Sequence, residues 1–221
     1  MSGELPMIYT TRDTQAQLAA LGYDPGPIDG RDGPKTRTAV AEALKAQNIK
    51  RVEELFHRSG LHRIILHWTA GADGLIELER QHYHLIVDRT GRTHAGTLKP
   101  EANTNCRDGR YAAHTRALNT GSIGVALDAM ADAKQSPFDA GKYPITHEQI
   151  QALAETVADL CDTYQIPVSP YSVLTHAEVE PTLGVKQRSK WDITWLPDMS
   201  GSGDPIDVGN KLRSLIAEVM L

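Results

Sequence analysis

The sequence is poor in cysteine, in long apolar runs and in positive charge. Cys106 and Cys161 are its only cysteines, which are too few for a disulfide framework. No apolar run approaches the roughly 20 residues that a membrane span needs. The opening residues carry neither a basic nor an apolar signal region, so we expect no secretory signal. A net charge of −5 gives no reason to expect nucleic acid or an anionic membrane as a partner.

What is present is typical of a globular protein, with 40% hydrophobic and 23% charged residues. A chain of 221 residues is expected to form one sizeable domain and a small satellite. We predict a small all-helical domain over residues 8–48, because two helical stretches flank a glycine-rich loop. The first stretch ends at Gly22 and Pro34 opens the second. A larger domain is predicted over residues 60–221.

In the larger domain, short apolar runs alternate with long helical patterns. Strands are predicted in "HRIILHWTA", in "SIGVALDAM", in "YSVLTHAEV" up to His176, and on both sides of the turn in "YHLIVDRTGRTHAG". A helix is predicted in "ITHEQIQALAETVADLCDTYQIP", where Thr146 and Gln149 form a capping box, and a terminal helix in "VGNKLRSLIAEVML". This interleaving indicates an α/β fold with a central sheet.

Two histidines and one short segment suggest a metal site. His67 and His176 each stand where an apolar strand gives way to small or polar residues, a common place for site residues at a sheet edge. The segment "QRSKWDITW" places Lys190 and Asp192 on either side of Trp191, and a surface ion pair on a turn is the simpler explanation. Two imidazoles and one carboxylate are, however, a common zinc set that leaves a fourth position open for water.

Both predicted domains resemble known families. The stretch "LAALGYDPGPIDGRDGPKTRTAV" resembles the small peptidoglycan-binding domain that precedes many cell-wall hydrolases. Residues 62 to about 198 are similar to the zinc-dependent N-acetylmuramoyl-L-alanine amidases, which include phage amidase-type lysozymes and animal peptidoglycan-recognition proteins. The matching segments, in the family's order, are "RIILHWTAG", "QHYHLIVDRTGRTHAGT", "AAHTRALNTGSIGVAL" and "LTHAEVEPTLGVKQRSKWDI". The resemblance implies a mixed central β-sheet flanked by helices, and Zn²⁺ as the cofactor.

The resemblance implies a role for five residues in the chemistry. His67, His176 and Asp192 match the three zinc ligands of the family. Lys190 and Tyr83 match its catalytic pair, and an ammonium group or a phenol can stabilise the oxyanion that forms when an amide carbonyl is attacked. For Tyr83, a tyrosine packed on a strand is the alternative.

Other residues are assigned to the cleft or left open. His114 matches a family position that lines the substrate cleft, and Thr69 and Asn119 are further candidates for binding peptide or sugar. Glu178, two residues after His176, is an alternative base, and Trp68 fits either the cleft wall or the core. Ala126 stands where some cytoplasmic amidases of the superfamily carry a glutamate, so that particular base is absent from this sequence.

The predicted function is therefore a peptidoglycan hydrolase, endolysin-like, that cleaves the amide bond between N-acetylmuramic acid and L-alanine by zinc-activated water. Without a secretory signal, we expect it to be made in the cytoplasm of a bacterial host and released to the cell wall by a separate route. Three alternatives remain: a non-catalytic peptidoglycan-recognition module, a cytoplasmic amidase that recycles muropeptides, and a zinc amidase that acts on another amide.

Overall fold

The computed structural model describes residues 10–46, 50, 52, 55 and 60–221. The chain divides into two compact units, Met1–Arg58 and Ser59–Leu221. Of the predicted domain limits, residues 8–9 and 47–48 lie outside the described residues, and the limits stay a prediction. Within the described part of the chain, no helix is long and apolar enough to cross a membrane.

The first unit is helical. Helix α1 (Thr11–Ala20) begins at a capping box formed by Thr10 and Asp13, and helix α2 (Pro34–Ala46) begins at the predicted proline. The buried side chain of Gln15 organises the loop between them: its Nε2 donates to the carbonyl of Arg31 at 3.0 Å, and its Oε1 accepts from the backbone N–H of Gly30 at 2.8 Å. The side-chain amide of Gln15 therefore ties the loop backbone to helix α1.

The second unit is built on a mixed five-stranded sheet. Its strands are β1 (Arg63–Trp68), β2 (Leu85–Val87), β3 (Thr93–Ala95), β4 (Ser122–Leu127) and β5 (Val173–Thr175). They lie in the order β3-β2-β4-β1-β5, and every neighbouring pair is parallel except the antiparallel pair β2 and β3. The predicted mixed α/β fold is confirmed.

Four α-helices accompany the sheet: α3 (Glu77–His82), α4 (His147–Tyr164), α5 (His176–Leu183) and α6 (Pro205–Val219). Short 3-10 helices lie at Pro100–Thr104 and Cys106–Asp108. Helix α4 begins at the predicted capping box, in which the Thr146 side chain accepts from the Gln149 N–H at 3.1 Å. Helix α3 was not predicted from the sequence.

Successive side chains along each strand point to opposite faces of the sheet, and only one face packs against the main core. In β1, Ile64, Leu66 and Trp68 point into the main hydrophobic core, which contains buried residues of α4 and α6. The intervening residues Ile65 and His67 face the opposite side. On that side β4 presents Ser122, Gly124 and Ala126, which are small, so the sheet leaves room there for other side chains.

The prediction that a strand extends to His176 is wrong by one residue. Strand β5 ends at Thr175, and His176 is the first residue of α5. The reason is a capping box: the backbone N–H of Thr175 donates to Glu178 Oε2 at 2.8 Å, and the Glu178 N–H donates to Thr175 Oγ1 at 3.3 Å. The chain turns sharply at this point, and the turn places His176 beside the sheet.

Candidate active site and metal centre

Three ligand-type atoms converge on the side of the sheet opposite the main core. His67 Nδ1 lies 3.1 Å from His176 Nδ1 and 3.1 Å from Asp192 Oδ2, and His176 Nδ1 lies 3.0 Å from the same carboxylate oxygen. All three residues are buried. Among the described residues, this is the one group of three or more such side chains placed to hold a metal ion.

Each member of the group comes from a different kind of element. His67 lies near the end of β1, His176 begins α5, and Asp192 lies in the loop that follows α5. That loop is fastened to the helix, because the N–H of Ala177 donates to the carbonyl of Asp192 at 2.6 Å. This backbone hydrogen bond ties the segment that carries Asp192 to the first turn of the helix that carries His176.

The outer ring nitrogens of the two histidines are also hydrogen-bonded. His67 Nε2 lies 3.2 Å from His114 Nδ1, and His114 Nε2 lies 3.3 Å from the carbonyl of Ser122. Because that carbonyl can only accept, His114 carries its proton on Nε2, and its Nδ1 can accept from the Thr115 hydroxyl at 2.8 Å and from His67 Nε2–H. His176 Nε2 lies 3.0 Å from Gln187 Oε1, also an acceptor. These acceptors favour the Nε2–H form of both rings, which would leave each Nδ1 free to bind a metal ion.

The electrostatics of the group support a bound cation. Burial lowers the pKa of His67 to about 4, so its imidazole is neutral at neutral pH and free to act as a ligand. The neighbouring His176 and His67 side chains hold the pKa of Asp192 well below its usual range, against the effect of burial. A neutral imidazole and an ionised carboxylate are the forms in which these side chains bind a metal ion.

The separations are also close to those of ligands around a tetrahedral metal ion. Ligand atoms about 2.0–2.2 Å from a tetrahedral ion lie roughly 3.3–3.5 Å apart, and the three observed separations of 3.0–3.1 Å are close to this. Two imidazoles and one carboxylate are a donor set found in catalytic zinc sites, where the fourth position stays open. The hydrogen bonds to the outer nitrogens are those that ligating histidines normally make.

The group opens into a cleft of ≈ 410 Å³. His176 and Asp192 line this cleft, together with every other predicted site residue except the fully buried His67: Thr69, Tyr83, His114, Asn119 and Lys190. Arg116 and Arg188 line it too. With Lys190, they make the cleft positively charged in a protein of net charge −5, which favours a substrate with anionic groups.

Tyr83 and Lys190 both line the cleft into which the group opens. The rings of Tyr83 and His67 are 5.1 Å apart between centroids. Burial raises the pKa of Tyr83, and the negative charges of Asp192 and Glu79 raise it further, so the phenol stays protonated and can donate a hydrogen bond. Lys190 is exposed and lines the same cleft as His176 and Asp192.

The predicted substrate-binding residues are partly engaged within the protein. The hydroxyl of Thr69 donates to Asp128 Oδ1 at 3.3 Å, and Asn119 Oδ1 accepts from the N–H of Thr115 at 2.9 Å. His114 is buried and bonded to His67, as described above. Their contact with substrate stays a prediction.

Glu178 is not among the residues that line the cleft. Its side chain is fully buried, and it forms a two-pronged ion pair with Arg213 of α6, at 2.8 Å from Oε1 and 3.1 Å from Oε2. Burial raises the pKa of Glu178, while the Arg213 guanidinium opposes that rise. With both oxygens occupied, Glu178 joins α5 to α6 and caps α5, which favours a structural role over that of a base.

Trp68 belongs both to the core and to the wall of the cleft. Trp191 packs edge-on against its ring, with the two ring centroids 4.6 Å apart. Sequence reasoning missed this pair, as it missed Gln187 and the hydrogen bond between His114 and His67.

Comparison with protein families decides the assignment. The family model described as N-acetylmuramoyl-L-alanine amidase matches residues 57–193, which include His67, His176 and Asp192. The chain belongs to the N-acetylmuramoyl-L-alanine amidase family. A model described as a peptidoglycan binding domain matches residues 10–51. The predicted family, its amidase activity and peptidoglycan as the partner are thereby confirmed.

Several solved structures are similar to this amidase at low sequence identity. The amidase LysC from Clostridium intestinale is 13% identical over 69% of this chain and 84% of its own, with a TM-score of 0.41. The Ph2119 endolysin from a Thermus scotoductus bacteriophage is 18% identical over 73% and 85%, with a TM-score of 0.42. AmiD from E. coli is 22% identical over 53% and 48%, with a TM-score of 0.38. No curated protein sequence matches the chain.

Proposed function

We propose that this amidase hydrolyses the bond between N-acetylmuramic acid and L-alanine with one Zn²⁺ ion held by His67, His176 and Asp192. The observation that carries the proposal is the convergence of two Nδ1 atoms and one carboxylate oxygen within 3.1 Å of one another at the cleft. When bound, zinc in such a site polarises a carbonyl and lowers the pKa of water to near 7.

Lys190 and Tyr83 are proposed to stabilise the negative charge that develops on the carbonyl oxygen. Both line the cleft next to the ligand group, one as a flexible cation and the other as a protonated phenol. Groups that bind the oxyanion but not the planar amide lower the barrier to reaction, because they act only as the charge appears.

Thr69, Asn119 and His114 are proposed to hold the substrate around the scissile bond. The side-chain oxygen of Asn119 is already used by Thr115 N–H, so its NH₂ group is the part that can donate to a substrate carbonyl. His114 combines a place in the cleft wall with its hydrogen bond to His67. A change at His114 is therefore expected to affect both the substrate and the metal.

The N-terminal unit is proposed to hold the wall polymer near the catalytic unit. Its match to a peptidoglycan binding domain supports this role. Tethering a weak binding module to an enzyme raises the local concentration of substrate without adding contacts in the active site. Removal of the unit should raise the KM for intact walls more than the KM for a soluble muropeptide.

The experiment that tests the function combines metal content with product analysis. Purified protein should bind one zinc ion, and it should release N-terminal alanine from peptidoglycan without forming new reducing sugar ends. Zinc removal by a chelator should abolish activity, and added zinc should restore it. New reducing ends without new amino groups would instead identify a glycosidase.

Matched variants assign the ligand role. Asp192→Ala should lose both zinc and activity, whereas Asp198→Ala, which changes an exposed aspartate outside the ligand group, should lose neither. Equal zinc binding by wild type and Asp192→Ala would contradict the proposed centre. A strong preference for soluble muropeptides over intact walls would favour the recycling amidase.

The route to the wall is a further part of the proposal. We propose that the protein is made in the host cytoplasm and reaches its substrate only after the membrane is opened, as endolysins do. Expressed inside bacteria, it should lyse them when the membrane is permeabilised and not before. Lysis without permeabilisation would contradict this route.

A further inference from the structure

Gln187 lies directly behind His176, on the side away from Asp192. Its side chain is 3% exposed, and its Oε1 lies 3.0 Å from His176 Nε2. Neither the family resemblance nor the sequence pattern assigns it a role. Its position makes it a candidate for control of the ligand rather than contact with the substrate.

The orientation of the Gln187 amide is determined by its other contacts. Its Nε2 donates to the carbonyl of Arg116 at 3.0 Å and to the carbonyl of Val185 at 3.2 Å. Backbone carbonyls can only accept hydrogen bonds, so the NH₂ group must face them, and Oε1 must face His176. A flipped amide would place its one oxygen against both carbonyl oxygens and lose both bonds.

This orientation favours a proton on Nε2 of His176. Gln187 Oε1 accepts from Nε2–H at 3.0 Å, while Asp192 Oδ2 lies 3.0 Å from Nδ1. If a metal ion takes the position between Nδ1 and Asp192, the ring must carry its one proton on Nε2, which is the proton that Gln187 binds. The alternative tautomer would put a proton into the metal position and leave Oε1 without its partner. Gln187 thus favours the one form of His176 that can bind a metal.

Gln187 is itself held firmly by three segments of the chain. Its backbone N–H donates to Glu180 Oε2 of α5 at 2.9 Å, in addition to the two side-chain bonds to Arg116 and Val185. Arg116 belongs to the cleft-lining segment that also carries His114 and Asn119. One amide therefore connects the substrate wall of the cleft to a ligand of the proposed metal.

We propose that Gln187 is a positioning residue: it fixes the tautomer and ring orientation of His176, and so sets the affinity of the centre for zinc. This inference rests on the proposed zinc site. Outer hydrogen-bond partners of ligating histidines typically contribute a factor of about 10–100 in metal affinity. The effect is expected in binding itself, independent of turnover.

The test measures zinc affinity of the full-length protein by competition with a chelator. Gln187→Met keeps the length of the side chain and removes its three side-chain hydrogen bonds, while the backbone bond to Glu180 remains. We therefore expect zinc binding to weaken about 10–100-fold. Gln187→Glu keeps the acceptor oxygen and loses both donors. It should bind zinc within about threefold of wild type, although the loss of two bonds destabilises it as Gln187→Met does.

Gln149 provides the matched control. It is also buried, and its Nε2 also donates to two backbone carbonyls, those of Val87 and Asp128, both at 3.1 Å. None of its hydrogen bonds within the described residues goes to a member of the ligand group. Gln149→Met should therefore lower the melting temperature of the zinc-free protein while its zinc affinity stays within about twofold of wild type.

A second readout is spectroscopic. In the zinc-loaded protein, the His176 Nε2–H proton should resonate downfield and exchange slowly with solvent in wild type and Gln187→Glu, where an oxygen accepts it, and should exchange faster in Gln187→Met. Zinc affinity of Gln187→Met equal to wild type would overturn the proposal. So would an equal loss in Gln149→Met or Gln187→Glu. If wild type itself binds no zinc, the proposed function fails instead.

Discussion

Replacing Arg213 tests whether Glu178 is a structural partner or a base. Arg213 is 7% exposed and donates to both Glu178 oxygens and to the carbonyl of Val173 at 2.8 Å. Arg213→Met leaves a buried carboxylate with the Thr175 N–H as its remaining partner among these contacts. Removing one partner of a buried ion pair costs about 3–5 kcal/mol, because the other charge stays uncompensated.

The size of the effect can be measured on the amidase unit alone. All three tryptophans, Trp68, Trp191 and Trp195, lie in that unit, so their fluorescence follows its unfolding and not that of the N-terminal unit. At about 2–4 °C per kcal/mol for a domain of this size, the melting temperature should fall by about 6–20 °C. In urea, the midpoint should fall while the slope stays the same.

The double variant Glu178→Gln/Arg213→Met shows how much of the lost stability comes from the unpaired charge. It leaves no unpaired charge and keeps an acceptor for the Thr175 N–H, so it should recover about 1–3 kcal/mol relative to Arg213→Met. Glu178→Gln should retain zinc and lose stability more than rate. A fall of 10²–10⁴ in kcat for Glu178→Gln, with stability unchanged, would refute this reasoning and restore Glu178 as the general base.

Four further changes test the site and its support. Lys190→Ala should keep zinc and lose about 10²–10³ in kcat, because it removes one oxyanion donor; an equal loss of zinc would remove Lys190 from that role. Tyr83→Phe should lower kcat by about 10² at unchanged zinc affinity, and an unchanged kcat would indicate a packing role. Gly124→Ala should weaken zinc binding more than tenfold, because a Cβ there would lie 2.5 Å from His114 Cγ and push that ring away from His67; unchanged zinc binding would contradict the support from His114. Burial lowers the pKa of His84 to about 4, whereas a histidine in the unfolded chain has a pKa of about 6.5. As the pH falls, the unfolded chain is therefore protonated first, and this lowers the free energy of unfolding by up to about 3 kcal/mol at pH 4. His84→Gln should flatten the decline of unfolding free energy over that range, and an unchanged slope would show that His84 does not cause it.

Much of the sheet could be predicted because its signals are local. Apolar runs bounded by turns predicted β1, β4 and the β2–β3 pair, and the capping box at Thr146 predicted the start of α4. The candidate ligand His67 also followed from such a signal, since it stands near the end of an apolar strand.

The convergence of the ligands could not be derived from these signals. His67 and His176 are 109 positions apart, and their meeting depends on the parallel pairing of β1 with β5. A local clue to the turn at His176 was present: Thr175 and Glu178 have capping-box spacing, although Pro181 argued against a helix there. The partners behind the histidines, Gln187 and His114, come from irregular segments whose contacts have no pattern in the sequence.

The contribution of α6 sets a lower limit on the size of a working catalytic fragment. The stretch matched by the family model stops at residue 193, yet Val208, Leu212 and Ile216 of this last helix fill the main core, and Arg213 reaches back to the residue that caps α5. A truncation placed at the end of the match would expose that apolar surface and release the helix that begins at His176. Anyone who exchanges wall-binding modules between hydrolases should therefore keep the chain through α6 as part of the enzyme.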